Sequence, residues 1–292
     1  MRNSLSNTRS ASSGWVSIEP CSRPSPAFLE TAQNGPVRAV LSPHGLGGAY
    51  ARRMTTFALV HGAWHGAWCW ERLTPLLRQE GHNVVAMDLP CDDASASFEA
   101  YADVVCAALD GCNDDVVLVG HSLGANTIPL VAARRPVRHL VYLCGAVPAI
   151  GRSVIDQIAG TDMMGQGWDA GLGEPDAQQR TTWVDPDCAR ALLFADCDEP
   201  TAEAAFTRLR PQARYPSTLP FSLSEFPAVG HTTVICSDDR MVNPAWSRRV
   251  ARERLGANVV DLPGSHSPFF SRPSTLAGVL LRLAEAQLVT LG

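Results

Sequence analysis

From Thr55 onward the chain alternates between short unbroken runs of Val, Leu and Ile and longer stretches whose apolar residues recur at helical spacing. The unbroken runs predict strands over 56–61, 83–88, 115–120, 138–144, 231–236 and 257–262. They are continuous rather than alternating, as strands must be when helices cover both faces of a parallel sheet. Helical spacing marks 70–80, 97–110, 123–134 and 244–255, with a closing amphipathic helix near 274–289. Strand and helix in turn predict an α/β fold around a parallel sheet. Between about 148 and 225 the strands vanish and short helical pieces such as 200–210 take over. An insertion there, in this architecture, predicts a helical cap over the site.

Composition changes this picture at four points. Residues 1–53 are rich in Ser, Arg, Pro and Gly and lack periodicity, so they read as a disordered leader, or as upstream of a true start at Met54. The remainder, 54–292, is then one domain. The net charge of −5 argues against nucleic acid or an anionic membrane as partner, and no apolar run reaches transmembrane length. Nine cysteines, odd in number and without CxxC spacing, suit reduced thiols in a cytoplasmic protein better than disulfides or a metal site. All 24 basic residues are arginine, which fits a GC-rich bacterial genome.

The chemistry centres on Gly120-His121-Ser122-Leu123-Gly124, set between a β run and a helical stretch. A G-x-S-x-G turn there projects the serine above the sheet, and its glycines let the turn pass between strand and helix. A serine hydroxyl needs a base to take its proton. Of the three histidines beyond Ser122, His139 and His231 open their strands, at the end away from the turn. His266 alone follows a strand, in Pro263-Gly264-Ser265-His266-Ser267. The acid belongs after the preceding strand, where Asp238 and Asp239 adjoin. Asp239 is favoured, with Asp238 as the alternative that would turn the chain or cap an amide. Asp88 precedes the serine and reads as a turn residue. Two backbone amides should hold a tetrahedral oxyanion: Leu123, after the nucleophile, and Ala63, after Gly62 in the loop closing the first strand. His44-Gly45-Leu46-Gly47-Gly48 imitates such a loop but lies too close to strand 56–61 for a parallel crossover. Trp64 and His65 are candidate substrate-binding residues; Trp68 and Trp70 read as packing, and Trp183 as a cap residue that could close over substrate.

The segment from His61 to Trp70, with Asp88-Leu89-Pro90, the Ser122 pentapeptide, Ser237-Asp238-Asp239-Arg240 and Ser265-His266-Ser267, resembles the plant methylesterase and hydroxynitrile lyase branch of the α/β-hydrolase superfamily and its bacterial relatives. The resemblance runs from Met54 to near the C-terminus. It implies a six-stranded, mostly parallel sheet, an inserted helical cap, Asp239 as the acid and no cofactor. Lyases of this branch carry a threonine after the first histidine and a lysine after the catalytic one; here Gly62 and Ser267 stand there, which points to the esterase side. The plant esterases differ at the position of Gly62, and Cys91 replaces the glycine usual after Asp-Leu-Pro, so substrate identity does not carry over.

The expectation is a serine hydrolase: Ser122, Asp239 and His266 catalytic, Ala63 and Leu123 at the oxyanion, and no metal or cofactor. The expected partner is a small or medium apolar ester, with no nucleic acid or membrane, and a homodimer left open. Two readings compete: amide or carbon–carbon bond hydrolysis on the same triad in secondary metabolism, and a ligand-binding member without turnover.

Overall fold

A computed structural model describes residues 54–285. The leader expected over 1–53, with its His44–Gly48 run, lies outside the described residues, as does the end of the closing helix beyond Glu285.

Strand β1 (Thr56–Val60) is followed by a 3-10 turn at Ala67–Trp70, helix α1 (Thr74–Gln79) and β2 (Asn83–Ala86). Helix α2 (Phe98–Ala108) leads to β3 (Val116–His121), a 3-10 turn at Ser122–Asn126, α3 (Ile128–Ala132) and β4 (His139–Leu143). Next come α4 (Val154–Gly160), β5 (Arg180–Thr181), α5 (Pro186–Leu193), α6 (Glu199–Phe206), β6 (Gln212–Ala213) and α7 (Tyr215–Thr218). The chain then forms β7 (Gly230–Cys236), α8 (Pro244–Leu255), β8 (Asn258–Leu262), α9 (Pro268–Ser271) and α10 (Pro273–Glu285).

Six of these strands form one sheet in the order β2-β1-β3-β4-β7-β8, every neighbouring pair parallel. The apolar runs explain it: β1 and β3 are buried at every residue, whereas the edge strand β8 is mostly not, and it carries Asn258 and Asp261. The order reverses between β1 and β3, because β2 lies on one side of β1 and the chain returns on the other. A crevice opens at such a reversal, beyond the carboxyl ends of the strands.

Two expected helices are shorter than their periodicity. Pro129 and Pro75 sit at the starts of α3 and α1, where the missing N–H is harmless; further inside a helix each would break the hydrogen-bond ladder. The continuous helices read over 123–134 and 70–80 therefore divide into a 3-10 turn and a short α-helix. The inserted segment between β4 and β7 is helical, but it also holds one small antiparallel ladder, β5 against β6, which the sequence reading left out.

At the amino-terminal end of the sheet, Arg138 forms a buried ion pair with Asp115, Nε to Oδ1 at 2.6 Å. Thr55 Oγ1 donates to the same carboxylate at 3.1 Å, and Arg138 Nη1 donates to Leu283 O of α10 at 3.0 Å. One guanidinium thus joins β1, β3, β4 and the closing helix. Removing it alone strands a buried carboxylate, so Arg138→Met should lower unfolding free energy by about 3–5 kcal/mol. Adding Asp115→Leu should recover most of that loss in urea denaturation.

Candidate active site

Ser122 sits directly after β3 with φ +50, a left-handed conformation that costs a non-glycine residue about 1–2 kcal/mol. The turn is held by close packing. A Cβ at Gly124 would lie 2.5 Å from His61 O, and one at Gly120 would lie 2.8 Å from Gly124 O, so both positions require glycine. The elbow is thereby wedged against the loop that follows β1. Ala146 N donates to Ser122 O at 3.0 Å and fixes its far side.

That loop is tied down by His61, which is 1% exposed. Its Nε2 accepts from Leu89 N at 2.9 Å, so Nδ1 carries the proton and donates to Gly62 O at 2.8 Å. Gly62 is where the loop meets Ser122: a Cβ there would lie 2.8 Å from Ser122 Cβ. A threonine in this place would collide with Ser122. Ala63 and Leu123 line one narrow crevice with His61, Gly62, Leu89, Cys91, Tyr101, Gly124 and Gln212. The two residues whose amides are expected to bind an oxyanion therefore border one crevice, and the first N–H groups of a helical turn lack acceptors within it.

Beyond β7 and β8 the two aspartates separate. Asp239 accepts from His266 Nδ1 at 2.9 Å through Oδ2, and from Met241 N and Val242 N at 2.8 and 3.0 Å through Oδ1. Asp238 instead joins the loop around Gly264, taking Gly264 N at 3.2 Å while its own N–H donates to Gly264 O at 3.0 Å. Because a carboxylate only accepts, His266 Nδ1 holds the proton and Nε2 keeps its lone pair. Both partners are buried, which strengthens the bond by excluding water.

Several residues that hold His266 carried no mark in the sequence. His121 Nε2 donates to His266 O at 3.0 Å, and the two rings lie 4.7 Å apart. Asp196, from the inserted segment, accepts from Ser265 Oγ and from Arg272 Nε, the latter at 3.2 Å. Spacing gave no signal for Asp196, which is 69 residues from Ser265; the only signal for His121 was its place beside the nucleophile. Asp88 accepts from Ala67 N at 2.7 Å, the turn role expected of it.

The aromatic candidates divide. His65 is 1% exposed, its Nδ1 donates to Ala63 O at 2.7 Å, and its ring packs among Trp68, His121, Phe194 and Phe269. Its bond to Ala63 O holds the loop that carries Ala63. Trp64 holds φ +61, a strained value for a large side chain, and three contacts from the inserted segment keep it there. Its Nε1 donates to Thr181 Oγ1 at 3.2 Å, its carbonyl accepts from Arg210 N at 2.7 Å, and its ring meets Trp183 edge-on at 5.6 Å. Trp70 is fully buried, as packing requires.

Burial holds the structural histidines neutral: His61 is lowered from 6.5 to about 4 and His65 to about 3, in both cases mainly by desolvation. No described helix is long and apolar enough to cross a membrane.

A family model described as the alpha/beta hydrolase family matches residues 57–279. Methylesterase 1 of Arabidopsis thaliana is 28% identical over 258 residues, covering 80% of this chain and 97% of its own. Norfluorocurarine synthase 2 from Strychnos sp is 30% identical over 256 residues, 78% of this chain and 95% of its own. Among solved structures, a pyrethroid hydrolase from Sphingobium faniae JZ-2 superposes with a TM-score of 0.68 at 23% identity, over 81% of this chain and 99% of that one.

The buried neutral histidines make stability depend on pH. The unfolded chain takes up protons at these positions below 6.5, while folded His61 stays neutral to about 4 and folded His65 to about 3. Their contribution is complete above 6.5 and is lost as pH falls through that window. In urea titrations His65→Phe should flatten the pH dependence by about one proton, roughly 1.4 kcal/mol per pH unit.

Proposed function

Because this chain belongs to the alpha/beta hydrolase family, we propose that it is a serine hydrolase that cleaves small or medium apolar carboxylic esters through an acyl-enzyme. The observation that carries the reading is the buried His266–Asp239 pair, whose proton on Nδ1 leaves Nε2 as a base. In this mechanism Nε2 takes the Ser122 proton as Oγ attacks the ester carbonyl, and Asp239 stabilises the imidazolium that forms. The amides of Ala63 and Leu123 receive the oxyanion, each worth roughly 3–4 kcal/mol of barrier. Collapse of the tetrahedral intermediate releases the alcohol, which takes its proton from His266. Water then enters by the same route in reverse and frees the acid.

Support for an ester comes from the relatives named methylesterases and from Gly62 in the loop after β1 and Ser267 in the loop after β8, in place of a lyase's threonine and lysine. A threonine at 62 would press on Ser122 Cβ, so the loop geometry favours the same side.

Purified protein should hydrolyse p-nitrophenyl acetate and butyrate, and Ser122→Ala should reduce kcat by about 10⁴–10⁶-fold with the fold intact. A folded wild type without turnover on either ester would overturn the reading. Asp239→Asn should reduce kcat by about 10⁴-fold, because the amide imposes the wrong histidine tautomer. Asp238→Asn, which affects only a loop contact, should stay within about tenfold of wild type; equal losses in the two variants would reject the assignment of the acid.

A further inference from the structure

The strand next to the nucleophile delivers a thiol to the back of the His266–Asp239 pair. Cys144 follows β4 directly, is 2% exposed, and is anchored by its own N–H donating to Val234 O at 2.9 Å. Its φ of +46 turns the chain at this point. One ligand atom each from Cys144, Asp239 and His266 lies within 4.8 Å of the others, and all three residues are buried.

We propose that Cys144, Asp239 and His266 form an inhibitory binding site for a soft divalent cation of the zinc class. The donor set is one sulfur, one nitrogen and one oxygen, the mixture that zinc accepts in tetrahedral sites. Charge fits as well: a dication with one thiolate, one carboxylate and a neutral imidazole is neutral overall, which suits a position closed to water. Zinc bonds of about 2.3 Å to sulfur and about 2.0 Å to nitrogen place those atoms roughly 3.5 Å apart. Closing from the present spacing requires about an ångström, within reach of a cysteine χ1 rotation. The fourth position is left to a neutral donor; the side chain of Cys236 interacts with that of Cys144. Magnesium and calcium, which seek six or more oxygens, are excluded.

Binding exchanges protons in a defined way. The Cys144 thiol loses its proton to solvent as the sulfur–metal bond forms. The ion takes the place of the proton between His266 Nδ1 and Asp239, and that proton moves to Nε2. An imidazole protonated at Nε2 cannot accept from Ser122, so the bound protein is inactive. This last consequence rests on the serine-hydrolase reading; the binding does not.

The test titrates the purified full chain with cobalt(II), following thiolate-to-metal charge-transfer absorption, and with zinc against a chromophoric chelator. One equivalent should bind with a charge-transfer band. In Cys144→Ser the band should vanish and the zinc dissociation constant should rise by about 100-fold or more, since loss of a second-shell partner alone reaches that range. Zinc should slow p-nitrophenyl acetate hydrolysis by wild type at least about tenfold, reversibly with EDTA, whereas magnesium should not. If Cys144→Ser does not fold, X-ray absorption of zinc-loaded wild type replaces it, and a sulfur in the zinc shell is the expected result. A missing band, a band undiminished in Cys144→Ser, or a sulfur-free shell overturns the site. A band that depends on Cys144 in a protein without esterase activity retains the site and rejects the hydrolase reading instead.

Discussion

The turn at Ser122 is possible only because two backbone segments touch where side chains would ordinarily keep them apart. Gly124 lies against the carbonyls of Val60 and His61, so the start of the helical turn after β3 presses on the end of β1. That contact spans the place where the strand order reverses, and it fixes the distance between the serine and the loop carrying Gly62 and Ala63. The left-handed Ser122 is a local strain which the packing of the two central strands overcomes. A looser junction would let the serine relax and would separate the two amides of the crevice.

Around this junction the protein gathers imidazoles but gives them different work. His61 and His65 use a ring N–H to hold backbone carbonyls of the same loop, and His121 holds the carbonyl of His266. Desolvation keeps these three neutral across the physiological range, so they act as fixed donors rather than as charges. His266 alone faces a carboxylate, which can stabilise a positive ring. His266 is as buried as the other three, and only its partner differs.

The inserted segment reaches the site through several distinct contacts. Thr181, Trp183 and Arg210 grip Trp64, while Asp196 holds Ser265 and Arg272 beside His266. The loop bearing Ala63 and the loop bearing His266 are thus both braced by one stretch of chain. Its sequence is the least regular part of the described residues, since its task is to meet particular atoms rather than to continue a sheet.

Alternation of buried strands with helices, the tight serine turn, and the histidine and aspartate after the last two strands of the sheet were all legible along the chain. Each is a local pattern: a strand buried on both faces must be continuously apolar, and a turn without room for a Cβ must be glycine. The prolines at 75 and 129 stand in the sequence, yet the helices were read through them, because apolar periodicity continues across the break that a missing N–H makes. The choice between Asp238 and Asp239 needed the fold. Adjacent side chains diverge in space, and only the approach of the loop after β8 shows which one meets His266. The same holds for His121, Asp196 and Cys144, which lie 145, 70 and 122 residues from His266 in the chain. Contacts at that range leave no spacing to read: parallel strands bring His121 and Cys144 to the same end of the sheet as His266, and the inserted segment folds back to bring Asp196 there.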